Sequence, residues 1–174
     1  MHASTVSRNR RITLLALLAL GTLLASPLVR AARCTISTSG LSFGVYDPLA
    51  GSASTANGSV SLNCRYSGAD FLFGFTANVT LSPGLSGSYL ARTLRAGAEQ
   101  LRYNLYIDPS HTSVFGDGSG GTQAVSECFP GLFGGCVGGS GNSPVTIPVY
   151  GQMPGSQDVG AGSYADNLVV TVTF

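Results

Sequence analysis

The chain has 174 residues, room for one domain of common size; 44% of them are apolar and only 10% are charged. With 24 glycines besides, this composition excludes a charged disordered tail and points to an all-β chain. The nine basic residues are all arginine and face eight acids. The resulting formal charge of +1 is not that of the expected exported product, because four of the arginines lie ahead of residue 32.

That N-terminal stretch reads as a secretory signal peptide over residues 1–31. Arg8, Arg10 and Arg11 give it a positive start and Ile12 to Leu24 form a 13-residue apolar run. Val29-Arg30-Ala31 then places short residues at the −3 and −1 positions of a cleavage site after Ala31. The apolar run is shorter than the ~20 residues a membrane span needs and no second run follows, so no span is expected after cleavage. Arg33 stands before Cys34 where a lipoprotein signal would want a small residue, so no lipid anchor is expected. The mature domain, residues 32–174, keeps five arginines, no lysine and eight acids, a net −3. A slightly acidic product without a basic patch argues against nucleic acid as a partner, since phosphates demand clustered cations.

Export gives the cysteines their meaning. Cys34, Cys64, Cys128 and Cys136 in an oxidising compartment read as two disulfides. Three pairings are open to four cysteines, and proximity along the chain favours Cys34 with Cys64 and Cys128 with Cys136. On the chain-entropy model, closing the longer loop is worth roughly 3.7 kcal/mol and closing the shorter about 2.6 kcal/mol. Zinc fits poorly, because there is no CxxC pair and the mature chain keeps one histidine, His111.

Past the signal, apolar residues recur with period two in short runs separated by Gly, Ser, Asn and Pro. Val60, Leu62, Cys64 and Tyr66 alternate with polar residues after an Asn57-Gly58 turn signal, which turns Cys64 inward. Phe71 to Leu81 reads as one longer aromatic-rich strand, with Gly74 marking a bulge or a close backbone approach. Tyr89 to Leu94 comes next, and then Leu101, Tyr103, Leu105 and Ile107 alternate with polar partners until Pro109. The glycine-rich stretch 117–144 reads as a long surface loop broken by the small disulfide ring. Val145, Ile147 and Val149 alternate, while Pro144 and Pro148 remove two ladder donors and push that strand toward an edge or an irregular ladder. Asn167 to Phe174 carries Leu168, Val170, Val172 and Phe174 on one face. Short strands with turns between them are the pattern of a β-sandwich or barrel.

The inventory for catalysis is poor. His111 lies in a Pro109-Ser110-His111-Thr112 turn, Ser88 sits in no GxSxG elbow, and Glu99 and Glu127 have no spacing that pairs them as glycosidase carboxylates. Asp117 between Gly116 and Gly118 reads as a turn rather than a calcium loop, and Asn57-Gly58-Ser59 and Asn78-Val79-Thr80 are chance matches to a glycosylation pattern. No enzyme and no cofactor are expected. The ring from Cys128 to Cys136 holds Phe129, Leu132 and Phe133 in a loop too small to bury them by itself, which makes it a candidate adhesive tip for a hydrophobic surface. A secreted carbohydrate-binding module with Tyr103, Tyr106 and Tyr150 as an aromatic platform is the alternative.

Seven strings in order along the mature chain carry a family resemblance. They are Cys34-Thr-Ile-Ser, Leu41-Ser-Phe-Gly-Val-Tyr-Asp47, Gly58-Ser-Val-Ser-Leu-Asn-Cys64, Leu101-Arg-Tyr-Asn-Leu-Tyr-Ile-Asp108, Val114-Phe-Gly-Asp-Gly118, Val149-Tyr-Gly-Gln-Met153 and Ala161-Gly-Ser-Tyr-Ala-Asp166. Together they resemble the spore coat U domain of archaic, Csu-type chaperone-usher pilus subunits. The resemblance implies an immunoglobulin-like β-sandwich that lacks its last strand and is completed by donor-strand complementation. The implied partners are a periplasmic chaperone, an outer-membrane usher and neighbouring pilus subunits. The implied location is a cell surface, fimbrium or spore coat, reached through the periplasm. The terminal run with Leu168, Val170, Val172 and Phe174 is then the edge of the strand-acceptor groove. Family members that polymerise carry a donor segment before the first cysteine. Here cleavage after Ala31 leaves only Ala32 and Arg33, so the subunit is expected to accept a strand without donating one, as a tip or coat component.

Overall fold

The structure is a computed structural model and describes residues 32–136 and 143–174. The expected signal peptide, including Arg8, Arg10, Arg11, Arg30 and the run from Ile12 to Leu24, lies outside the described residues. Period-two alternation organises the described chain into strands. These are β1 (Arg33–Ser39), β2 (Ser54–Arg65), β3 (Phe75–Leu81), β4 (Arg92–Ala96), β5 (Glu99–Tyr106), β6 (Val125–Phe129), β7 (Val145–Met153) and β8 (Val170–Thr173), with a short helix α1 (Ala69–Phe73) and a 3-10 turn at Gly84–Ser86. They form a five-stranded sheet in the order β1-β2-β7-β5-β4 and a three-stranded sheet in the order β6-β3-β8.

The two sheets share one core. Val60, Leu62 and Cys64 of β2, Leu101, Tyr103 and Leu105 of β5, and Val145, Ile147, Val149 and Met153 of β7 come from the larger sheet. Phe75, Ala77, Val79 and Leu81 of β3 and Phe129 of β6 come from the smaller one. Each large apolar side chain contributes about 1.5–3 kcal/mol when removed from water, so the alternation itself drives the layering. The fold is an all-β, immunoglobulin-like sandwich, which the strand pattern leaves open beside a barrel and the family resemblance implies. Cys34 stands opposite Cys64 in the β1–β2 ladder and is bonded to it, while Cys128 of β6 is bonded to Cys136.

Four local expectations are overturned. The run from Phe71 to Leu81 is not one strand: α1 occupies Ala69–Phe73, and the chain turns at Gly74 before β3 begins. Gly74 has φ +72° and sits so close to Phe129 and Gly131 that a Cβ would fall 2.5 Å from the Phe129 carbonyl. Asn57-Gly58 is no turn but lies inside β2, where Asn57 pairs with Tyr150 and Gly58 with Val149. The stretch 117–144 is not all loop, because β6 pairs with β3 through Val79↔Val125 to Phe75↔Phe129. Finally, of the two settings expected for β7 the edge is not found: it runs between β2 and β5, with the irregular ladder that is the other expectation. Its ladder to β5 covers only Tyr150–Gln152, so Pro148 has a partner strand on one side alone, a setting in which a missing N–H is tolerated.

One buried charge ties the layers together. Arg92 is fully enclosed: its Nη1 donates to Asn104 Oδ1 (2.7 Å) and its Nη2 to the carbonyls of Ser82 (2.9 Å) and Phe115 (2.7 Å). Burial pulls its pKa down from the usual guanidinium value. Nothing in the sequence pattern marks this residue as interior.

Candidate functional site

Over the inner face of the larger sheet, beside the chain that leads into β8, the core is open as a groove of about 1020 Å³. Its floor is Leu94 of β4, Leu101, Tyr103 and Leu105 of β5, and Met153 of β7. One wall is the segment 41–46, in which Leu41 and Phe43 alternate inward and pack against the core. Gly151 makes room for them, since a Cβ there would meet the ends of both side chains at 2.8–2.9 Å. The backbone of this segment is unladdered. Among the described residues its one hydrogen bond is Gly44 N–H to Ser42 Oγ at 3.4 Å.

Tyr46 pins the far end of that wall. Its hydroxyl donates to the Pro154 carbonyl (3.1 Å) and accepts from Gln157 N–H (2.7 Å). The Gln157 carboxamide in turn accepts from Arg102 N–H (2.7 Å) and donates to the carbonyls of Arg102 (2.9 Å) and Pro154 (3.0 Å).

The opposite wall is the chain from Val159 to Asp166, with Leu168, that leads toward β8. Leu168 is half-buried there, and beyond it Val170 and Val172 of β8 are half-buried and pack against the core. β8 pairs with β3 alone, from Leu81↔Val170 to Asn78↔Thr173, and its other edge has no ladder partner among the described residues. Phe174 departs from the row: it is 58% exposed, with its ring edge-on to Phe75 at 5.7 Å.

Asp166 fixes this wall. Its Oδ2 accepts from the Tyr103 hydroxyl at 2.6 Å and its Oδ1 from Leu85 N–H at 2.8 Å and Asn167 N–H at 2.7 Å. Gly84, with φ +73°, lies against this carboxylate, where any Cβ would collide with it. Burial first, and then the bond to Asp166, push the Tyr103 phenol far above its ordinary value. Asp166 stands in one of the seven family strings, but its contact with Tyr103 across the fold has no local signal in the sequence.

A second feature lies at the end of the sandwich where β6 and α1 meet. The ring closed by Cys128 and Cys136 is a tight turn with Gly131 and Gly134 paired. Leu132 and Phe133 are exposed, by 66% and 71%, and their N–H groups bond the carbonyls of Phe71 and Leu72 at 2.9 Å. Phe129 is a correction to the expected trio: it is 1% exposed, stacked on Phe75 at 4.9 Å, because it is the last residue of β6 and points into the core. Phe71 and Phe73 of α1 take its place as half-exposed apolar neighbours, Phe73 lying 6.2 Å from the Phe133 ring.

The tyrosine platform is also not formed. Tyr103 belongs to the buried face of β5, whereas Tyr106 and Tyr150 pair across β5 and β7 on the outward face. His111 is in a turn with φ 56°, and Asp117 accepts from Ser119 N–H and Oγ in a local turn. Among the described residues no group of three or more His, Cys, Asp or Glu is placed to hold a metal, and no helix is long and apolar enough to cross a membrane.

Comparison with known proteins adds the family. The model of the Spore Coat Protein U domain matches residues 19–171. The chain belongs to that family. Among curated relatives, this family member is 33% identical over 147 residues to Protein U of Myxococcus xanthus, a match covering 77% of the chain and 71% of the relative. Among solved structures it resembles one from the CsuC–CsuE chaperone–tip adhesion subunit pre-assembly complex of the archaic chaperone-usher Csu pili of Acinetobacter baumannii. The TM-score is 0.53 at 18% identity over 83% of this chain, and the chain spans 40% of the length of its counterpart there. At that identity the likeness shows the fold of the spore coat U chain and no more.

Proposed function

We propose that this spore coat U protein is a structural, non-catalytic subunit of a chaperone-usher type pilus or surface coat, and that its groove receives an extended strand from a partner. The observation that carries this reading is the groove itself: an apolar floor between a segment with an unladdered backbone and the chain leading into β8, whose outer edge has no ladder partner among the described residues. A strand laid there gains main-chain hydrogen bonds from the walls and apolar pockets for alternate side chains, the recognition mode of strand addition. Burying four or five such side chains is worth about 6–15 kcal/mol, comparable to the stability of a whole domain. The periplasmic chaperone is the first partner and the neighbouring subunit, placed through the usher, is the second; the assembled product stands at the cell surface, on a fimbrium or in a spore coat. The solved relative in a chaperone complex supports that order of events.

The test is to titrate the exported protein with a peptide of alternating apolar residues and follow its melting. Capture raises the melting temperature by more than about 10 °C, and Val172→Asp, which sets a charge on the core-facing side of β8, removes most of that rise. A protein that melts cooperatively at high temperature by itself and gains nothing from any strand overturns the reading.

The exposed apolar end supports a finer proposal, that the subunit adheres to hydrophobic surfaces at a fibre tip. Leu132, Phe133, Phe71 and Phe73 form the contact, and the disulfide limits the entropy lost when the loop touches a surface. Replacing the four with Ser leaves assembly intact and reduces attachment to polystyrene; unchanged attachment removes the adhesive role.

A further inference from the structure

Among the described residues lining the groove, Asp166 alone carries a formal charge. It lines the groove together with Leu168 two residues on, and Val170 and Val172 carry the same parity on into β8, where they pack against the core. Its carboxylate holds three hydrogen bonds, from Tyr103, Leu85 and Asn167. One acceptor position of Oδ2 remains, and no ion pair involves this carboxylate among the described residues. The enclosed Arg92 does not supply one, since its terminal nitrogens are committed to Asn104, Ser82 and Phe115.

In the open groove, solvent reaches Asp166, which is partly buried. A strand that covers the groove removes that solvent. An apolar side chain over Asp166 would leave a desolvated and incompletely bonded carboxylate, whereas a basic side chain supplies both a donor and the opposite charge. We infer that Asp166 selects strands that present one lysine or arginine at the end of an otherwise apolar inward-facing row. This inference rests on the strand-acceptor reading. It gives the partner a pattern: a basic residue, then apolar residues two, four and six positions away, because the incoming strand repeats with the same period as the wall.

The test uses the exported protein and labelled peptides with four inward positions. One peptide is apolar throughout; the others carry Lys at the first, an inner or the last inward position, or Gln in its place. Lys at one end position tightens binding roughly tenfold over the apolar peptide, and Gln recovers only part of that gain. In Asp166→Asn the advantage of Lys over the apolar peptide, compared within that variant, falls to within about twofold. The Asn carbonyl still accepts from Leu85 and Asn167, so the turn is kept. Should that variant fail to fold, the unmodified protein supplies a second readout: the advantage of Lys over Gln shrinks several-fold as salt rises from about 50 mM to about 500 mM. Indifference to Lys at every position, or a preference that survives Asp166→Asn, overturns the selectivity and leaves the groove a strand acceptor. Failure of every peptide to bind overturns both.

Discussion

The seam between β3 and β6 and the seam between β8 and the 41–46 segment begin from the same sequence pattern and end differently. In the first, Ala77, Val79 and Phe129 alternate with polar residues, each strand has a ladder partner, and all three side chains are fully enclosed. In the second, Leu168, Val170 and Val172 on one side and Leu41 and Phe43 on the other turn toward the core with equal alternation, yet all five stay half-buried. Apolar periodicity chooses which face turns inward; a neighbouring strand decides whether that face leaves water. The difference is one missing ladder.

The largest test of this contrast is to break the closed seam. Phe129→Ala removes a stacked core ring and lowers stability by about 3–5 kcal/mol in urea unfolding, enough to unfold a marginal domain. If Phe129 belonged to the exposed ring, as its place between Cys128 and Cys136 would imply, the loss would stay within about 0.5 kcal/mol. The next effect compares the two disulfides. Replacing Cys34 and Cys64 by Ser costs more than replacing Cys128 and Cys136, roughly 3.7 against about 2.6 kcal/mol, as read from paired denaturation curves under oxidising conditions.

The smallest test sharpens the open seam. The Tyr103 phenol lies in the groove floor with its pKa raised in the folded state, so its stabilising contribution is complete below pH 10, near the unfolded pKa, and is lost as pH rises beyond it. Stability of the native protein therefore falls above about pH 10 by up to about 1.4 kcal/mol per pH unit from this group. Tyr103→Phe gives a flatter alkaline limb, at the cost of about 1–2 kcal/mol near neutrality from the lost bond to Asp166. Equal alkaline slopes for the two proteins would remove the assigned role of this hydroxyl.

How much of the fold is legible in the sequence depends on the same physics. β2, β5 and β7 stand out because their inward faces are continuous and their outward faces polar, the condition under which period two is unambiguous. Phe71-Leu72-Phe73 misleads because an unbroken apolar triplet has no period, and α1 is too short to establish one. Asn57-Gly58 misleads because turn chemistry is a local preference that the ladder with β7 overrides. The wall at 41–46 is visible as a family string but not as a wall, since a segment held by side-chain packing without a ladder has no local signal. Phe129, Leu132 and Phe133 look equivalent in a nine-residue ring; which of them is enclosed depends on where β6 ends.

The Gln157 side chain bears on how many strands such a molecule can take. β7 stops at Met153, and the next residue, Pro154, has no N–H to continue the ladder beside Arg102. The Gln157 carboxamide fills that rung, satisfying both the N–H and the carbonyl of Arg102. A rung occupied from within the chain offers no template to an invading segment. Among the described residues, this stretch of β5 is closed by the chain's own side chain, so a second strand has no rung to start from there.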